Sequence, residues 1–140
     1  MSDMNRYLSE VVRTIPPSGI RKFFDLVSQT EGVISLGVGE PDFVTPWHIR
    51  EASWYSLEKG YTMYTSNSGL MELREEVAAY EKRKVGVEYN PDGEILITVG
   101  VSEAVDIALR ALIEPGDEVL IPDPSYVSYA PGARLAFGQA

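Results

Sequence analysis

No cysteine occurs anywhere in the 140 residues, which removes disulfides, thiolate metal sites and a cysteine nucleophile at once. Histidine is nearly as scarce. His48 stands alone, near the start of an expected helix and without a carboxylate at partner spacing, so it reads as a surface residue rather than a general base or ligand. The acidic residues are spread over expected helix surfaces, and no pair of them suggests a metal site. Positive charge is also short: 12 Lys and Arg against 21 Asp and Glu leave a net charge of −9. A nucleic-acid footprint needs clustered bases, so none is expected, and any bound phosphate must be held by local geometry and one or two side chains. No apolar run approaches the ~18 residues of a membrane span. The opening MSDMNRYLSE shows neither the apolar centre of a secretory signal nor an Arg-rich transit pattern. The expectation is a cytoplasmic protein with no membrane partner. Neither a Walker lysine nor a GxGxxG pattern is present, which disfavours nucleotides and dinucleotides.

What is present is an ordinary globular composition, 44% hydrophobic and 24% charged, enough for one domain with a core. Residues 1–17 read as an arm. Ser18 can cap a helix with Ile20, Phe23, Phe24 and Val27 on its apolar face and Gly32 as its stop. Val33–Leu36 is a short extended piece running into the loop Gly37–Phe43. Thr45 followed by Pro46 opens a helix expected to end at Gly60. Gly69–Lys84 reads as a surface helix with the stripe Leu70, Leu73, Val77 and Tyr80. Its acids come early and its bases late, matching the helix dipole. The lysines (22, 59, 82 and 84) sit at polar helix positions, and none looks like a desolvated amine suited to imine chemistry.

The most informative stretch is EILITVGVSEAVDIALRA, residues 94–111. Ile95–Val99 is an apolar β-branched run of the kind buried in a parallel sheet. It stops at Gly100, and Ser102 is placed to cap a helix with Ala104, Val105, Ala108, Leu109 and Leu112 at helical spacing. Such a turn aims backbone N–H groups and the positive end of a dipole at one point, which suits a phosphate. The same turn with an ordinary serine cap is common in α/β folds, and the residues alone leave both readings open. After the turn Glu114–Asp117 comes a second short strand, Glu118–Ile121, and then a helix from about Tyr126 toward Leu135. Tyr126 follows that strand on the side where open α/β sheets bind ligands. It suits either a ring stack or a rim position. Strand, helix, strand, helix implies parallel pairing and an α/β architecture. The alternation stops just past Gly138, so the sequence reads as an N-terminal piece of a larger protein.

Four blocks in this order and spacing carry a resemblance: ISLGVGEPDFVTP (34–46), YTSNSGLMELREEVA (64–78), ILITVGVSEAVDIALRALIEPGDEVLIPDPSYVSY (95–129) and the helix remnant to Ala140. From about residue 14 onward the chain resembles the N-terminal part of pyridoxal-phosphate-dependent aminotransferases of fold type I. The nearest group is the class I/II enzymes acting on aspartate or aromatic amino acids. The implied fold is α/β: the N-terminal part of a three-layer αβα large domain with an N-terminal helical arm, incomplete as given. Residues 1–45 would be arm and small-domain segment, and 46–140 the first part of the cofactor-binding large domain. The implied cofactor is pyridoxal 5'-phosphate. Gly100, Val101 and Ser102 would hold its phosphate, and Tyr126 would stack on its ring. Tyr64 would reach the phosphate of the neighbouring subunit in a homodimer. Leu36 and Gly37 would lie in the loop closing over the substrate, an amino acid or a 2-oxo acid.

The family's cofactor-bonding lysine, the aspartate facing the pyridine nitrogen, the asparagine on the ring hydroxyl and the arginine gripping the α-carboxylate belong further downstream. The chain by itself is therefore expected to be inactive. Two other readings stand beside this one. The chain is a non-catalytic dimerisation module or truncated remnant, or it comes from a lyase or cyclopropane-forming synthase of the same fold.

Overall fold

The computed structural model describes residues 4–32, 34, 39 and 41–140, excluding the side chains of residues 21, 22, 25 and 28. The expected extended piece 33–36 and much of the loop 37–43 therefore lie outside the described residues. A short 3-10 turn, Met4–Tyr7, precedes helices α1 (Glu10–Thr14), α2 (Gly19–Ser28), α3 (Trp47–Glu58), α4 (Met71–Lys84), α5 (Gly100–Leu112) and α6 (Tyr129–Leu135). The chain divides into two compact units, one formed by residues 1–38 with 100–140 and the other by 39–99.

In the 39–99 unit, Pro46 occupies the N-cap of α3 with φ −50° and ψ 143°, one position outside the place expected for it. At the other end Gly60 is left-handed, with φ +76°. Its N–H reaches the Leu57 carbonyl at 2.9 Å and the Tyr61 N–H reaches Ser56 at 3.0 Å, which together form a Schellman closure. α4 is followed by a chain segment that returns along it. Lys82 Nζ meets Glu88 at 2.7 Å, Arg74 Nη1 donates to the Pro91 carbonyl at 2.7 Å, and the Ile97 N–H donates to the Ser68 carbonyl at 3.0 Å. Helix positions fall as segment positions rise, so the return is antiparallel. The turn within it is self-closed: Asn90 Oδ1 accepts the Asp92 N–H at 3.0 Å and the Glu94 carboxylate accepts the Asn90 N–H at 2.6 Å. The apolar stripe expected on α4 is largely exposed, with Leu73 at 45% and Tyr80 at 50%. The buried residue of that helix is the cation Arg74.

In the other unit both α1 and α5 pack on α6. The contact is built from small residues, since Ala133 and Ala136 are buried. A Cβ on Gly132 would stand 3.2 Å from Leu109 Cδ1, and one on Gly138 would stand 2.8 Å from Ile113 Cγ2. Absent side chains let the two helices approach. α6 begins at Tyr129 rather than Tyr126 and closes with the same Schellman bonds as α3, but with Phe137 in the left-handed position at φ +67°. Beyond it Gln139 pairs in parallel with Glu118, through Val119 N–H to Gln139 at 2.7 Å and Gln139 N–H to Asp117 at 2.8 Å.

That bridge is the one piece of β pairing among the described residues, and its parallel sense agrees with the alternation of elements. The expected strands at Ile95–Val99 and Glu118–Ile121 are not formed among the described residues, so a three-layer αβα arrangement is not what this structure displays. The physical reason is that a strand is defined by its ladder. Val99 and Leu120, read from sequence as sheet residues, are 89% and 96% exposed because no covering layer lies on them. Among the described residues no helix is long and apolar enough to cross a membrane.

Candidate functional site

α5 starts at Gly100 itself, so Ser102 is the third helical residue and not the cap expected from sequence. Glycine explains the difference. Gly100 has φ +77°, a conformation open to it without steric cost, and the chain turns straight into the helix there. Nothing lies within 4 Å of where a Cβ on Gly100 would stand. The N–H groups of Val101 and Ser102 thus fall in the first turn, where a helix offers no acceptor four residues back. An open corner, first-turn donors, a hydroxyl and the positive dipole end form a donor set chemically suited to a phosphate.

A cavity of about 500 Å³ adjoins this turn, within the size range of small-molecule sites. Val101, Ser102, Val105 and Asp106 of α5 line one side, and Tyr126, Tyr129 and Leu135 are among the residues opposite. The structure therefore places two sequence-predicted residues, Ser102 and Tyr126, on the walls of the same space, with Val101 beside them. Tyr126 is about half exposed, so a ring face remains available. It also borders a larger cleft of about 920 Å³ lined by Ile15–Ile20, Phe24 and Arg134. Ser102 does not line that cleft but does line the smaller cavity.

Two residues of this cavity escaped the sequence reading. Asp106 hydrogen-bonds the Arg110 Nε at 2.8 Å one turn along α5. That bond holds the Asp106 carboxyl below the usual carboxylate range and Arg110 above its own. The carboxylate near the Gly100–Ser102 turn is thereby matched by a cation, and the i, i+4 spacing was the available signal. Tyr129 stands edge-on to Tyr126, ring centroids 5.5 Å apart at 77°, three residues on in sequence.

The remaining predicted residues lie elsewhere. Tyr64 belongs to the 39–99 unit, fully exposed in the loop between α3 and α4, where it borders a space of about 420 Å³ with Tyr61, Met63 and Leu70. Leu36 and Gly37 are outside the described residues. His48 is exposed on α3, as expected, and no group of metal-ligating side chains occurs among the described residues.

Comparison with known proteins shows the family of the chain. The pattern of the family "Aminotransferase class I and II" matches residues 31–139. The YugH protein of Bacillus subtilis (strain 168) is 58% identical over 135 residues, 96% of this chain and 35% of that protein. Aromatic-amino-acid aminotransferase 2 of Thermococcus litoralis is 47% identical, over 94% of this chain and 34% of the relative. The solved structure of a Thermus thermophilus aspartate aminotransferase single mutant superposes with a TM-score of 0.84 at 38% identity, covering 94% of this chain and 35% of that one. The chain thus spans about a third of the length of the relatives it matches. At this level of likeness the fold is that of the pyridoxal-phosphate-dependent aminotransferases, and the chain belongs to the class I and II aminotransferase family.

Proposed function

We propose that the protein carrying this chain transfers an amino group between an amino acid and a 2-oxo acid, and that this chain supplies its phosphate turn and ring face. The family depends on pyridoxal 5'-phosphate. The observation that carries the reading is the shared cavity of Ser102 and Tyr126, which puts an anion-binding turn and an exposed aromatic ring around one space. When bound, the cofactor supplies an electron sink for bonds at the amino-acid Cα. Gly100, Val101 and Ser102 hold its phosphate through first-turn N–H groups and the Ser102 hydroxyl. Tyr126 offers its face to the ring and limits water on that side. Asp106, engaged by Arg110, adds little net repulsion toward the phosphate.

Four further assignments belong to the same proposal. Tyr64, exposed in its loop, reaches the phosphate site of a partner subunit in a homodimer. Leu36 and Gly37 close over the substrate. The exposure of Val99 and Leu120 supports a three-layer αβα domain, running from residue 46, whose remaining layers bury them. The protein works in the cytoplasm. The relatives' names include both aspartate and aromatic substrates, so the substrate class is a 2-amino acid.

The test compares binding of pyridoxal 5'-phosphate with that of pyridoxal, which lacks the phosphate, in the full-length protein and its Ser102→Ala variant. Loss of a hydrogen bond to a charged group weakens pyridoxal 5'-phosphate binding by about tenfold or more, and pyridoxal binding is unchanged. Equal affinity of wild-type protein for the two compounds would remove Gly100–Ser102 from the site.

A further inference from the structure

Tyr126 lies outside regular structure, two residues before the end of the loop that leads into α6, and an aromatic ring on a loop has no fixed plane of its own. Three observations show what fixes it here. The Tyr129 N–H donates to the Tyr126 carbonyl at 3.1 Å, closing the turn between them. The two rings meet edge to face, at 5.5 Å and 77°, one of the favoured aromatic geometries. Tyr129 is the first residue of α6, the helix whose Ala133 is buried, so its backbone belongs to a regular element and that of Tyr126 does not.

From this we infer that Tyr129 is a positioning residue for the cofactor ring. It touches no reacting atom but sets the plane of Tyr126, and through it the orientation of the ring stacked there. The inference rests on the cofactor reading above and adds to it a residue that acts only through another. A ring held against a neighbouring ring costs less to order on binding than one free to rotate. The hydroxyl of Tyr129 has no part in this, whereas its aromatic ring does.

The experiment is a double-mutant cycle in the full-length protein, read by the dissociation constant for pyridoxal 5'-phosphate and by the circular dichroism band of the bound cofactor. Tyr129→Leu is expected to weaken binding about three- to tenfold, the range of an aromatic pair, and to shrink the dichroic band. Tyr129→Phe, which keeps the ring edge, restores both. In a Tyr126→Leu background Tyr129→Leu has no further effect, because the residue through which it acts is gone. The ratio of pyridoxal 5'-phosphate to pyridoxal affinity, which reports the phosphate turn, is unchanged by the Tyr129 variants. Equal losses in the wild-type and Tyr126→Leu backgrounds, or a Tyr129→Phe variant as weak as Tyr129→Leu, would overturn the inference. A wild-type protein that ignores the phosphate sinks the cofactor reading instead, so the two failures are separate.

Discussion

α4 with its returning segment and α5 with α6 are two helix-based contacts made by opposite means. Along α4 the contact is polar and point-like: a guanidinium on a carbonyl, a lysine on a glutamate, one N–H on one carbonyl. Arg74 is buried there, with its Nη1 bonded to Pro91 and 3.9 Å from Asp92, while its Nε has no partner. Between α5 and α6 the contact is apolar and close at Gly132, where an added Cβ would stand 3.2 Å from Leu109 Cδ1. The proposed ligand cavity lies against the second contact. A site that must present a ring and a turn at fixed separation gains from close packing, because interlocked backbones permit little displacement. Point contacts between long side chains tolerate more.

The largest expected effect comes from breaking the one close approach in the α4 unit. Gly69 is left-handed at φ +94°, and a Cβ there would stand 2.6 Å from Ile97 Cβ. Gly69→Ala therefore combines backbone strain with a clash against an atom that cannot swing away, and should cost about 2–4 kcal/mol. Thermal or urea unfolding measures it, and a loss below about 1 kcal/mol would mean that the Ser68–Ile97 contact gives way cheaply. Next is Ala133→Leu, at a position with no exposure. Overpacking there should cost about 1–3 kcal/mol and should also alter the cavity wall opposite Ser102, seen as weaker pyridoxal 5'-phosphate binding. If stability falls and binding does not, the cavity does not depend on the close packing.

A smaller effect of opposite sign comes from the two Schellman ends. Gly60 and Phe137 occupy equivalent left-handed positions, at +76° and +67°, but only glycine does so without steric cost. Phe137→Gly should stabilise by about 0.5–1 kcal/mol, read as a higher unfolding midpoint. The smallest effect belongs to Lys82 and Glu88. Their hydrogen bond and mutual attraction hold Glu88 below the usual carboxylate range and raise Lys82 above the usual lysine value. The lowered carboxyl stabilises above its unfolded pKa, and that contribution is lost as pH falls through the folded one. The raised amine stabilises below its unfolded pKa, and its contribution is lost as pH rises through the folded one. Because both groups are exposed, Glu88→Gln should remove a shallow acid-side dependence that is already weakened by salt. An unaltered pH profile would show that the pair contributes nothing measurable.

Local signals were legible wherever a residue's own geometry decides the outcome. Gly60 stops its helix as its lack of a side chain predicts, and the Gly100 turn falls where the β-branched run ends. The parallel sense of Glu118 with Gln139 followed from the order of elements. Ser102 was misplaced by three helical positions, since a glycine that starts a helix and a serine that caps one leave similar sequence traces. The burial of Arg74 has no local sequence signal, because it depends on a carbonyl 17 residues away.

What the sequence by itself determined was most of the helical segments, the stop at Gly60 and the residue types of the turn proposed to bind an anion, all set by interactions within a few residues. Tertiary structure alone decided that Ser102 and Tyr126 face one cavity, that Tyr129 meets Tyr126 edge-on, and that the apolar runs at 95–99 and 118–121 form no sheet among the described residues. Each of these depends on partners brought together from distant parts of the chain. A cavity wall or a strand ladder exists only when such partners meet.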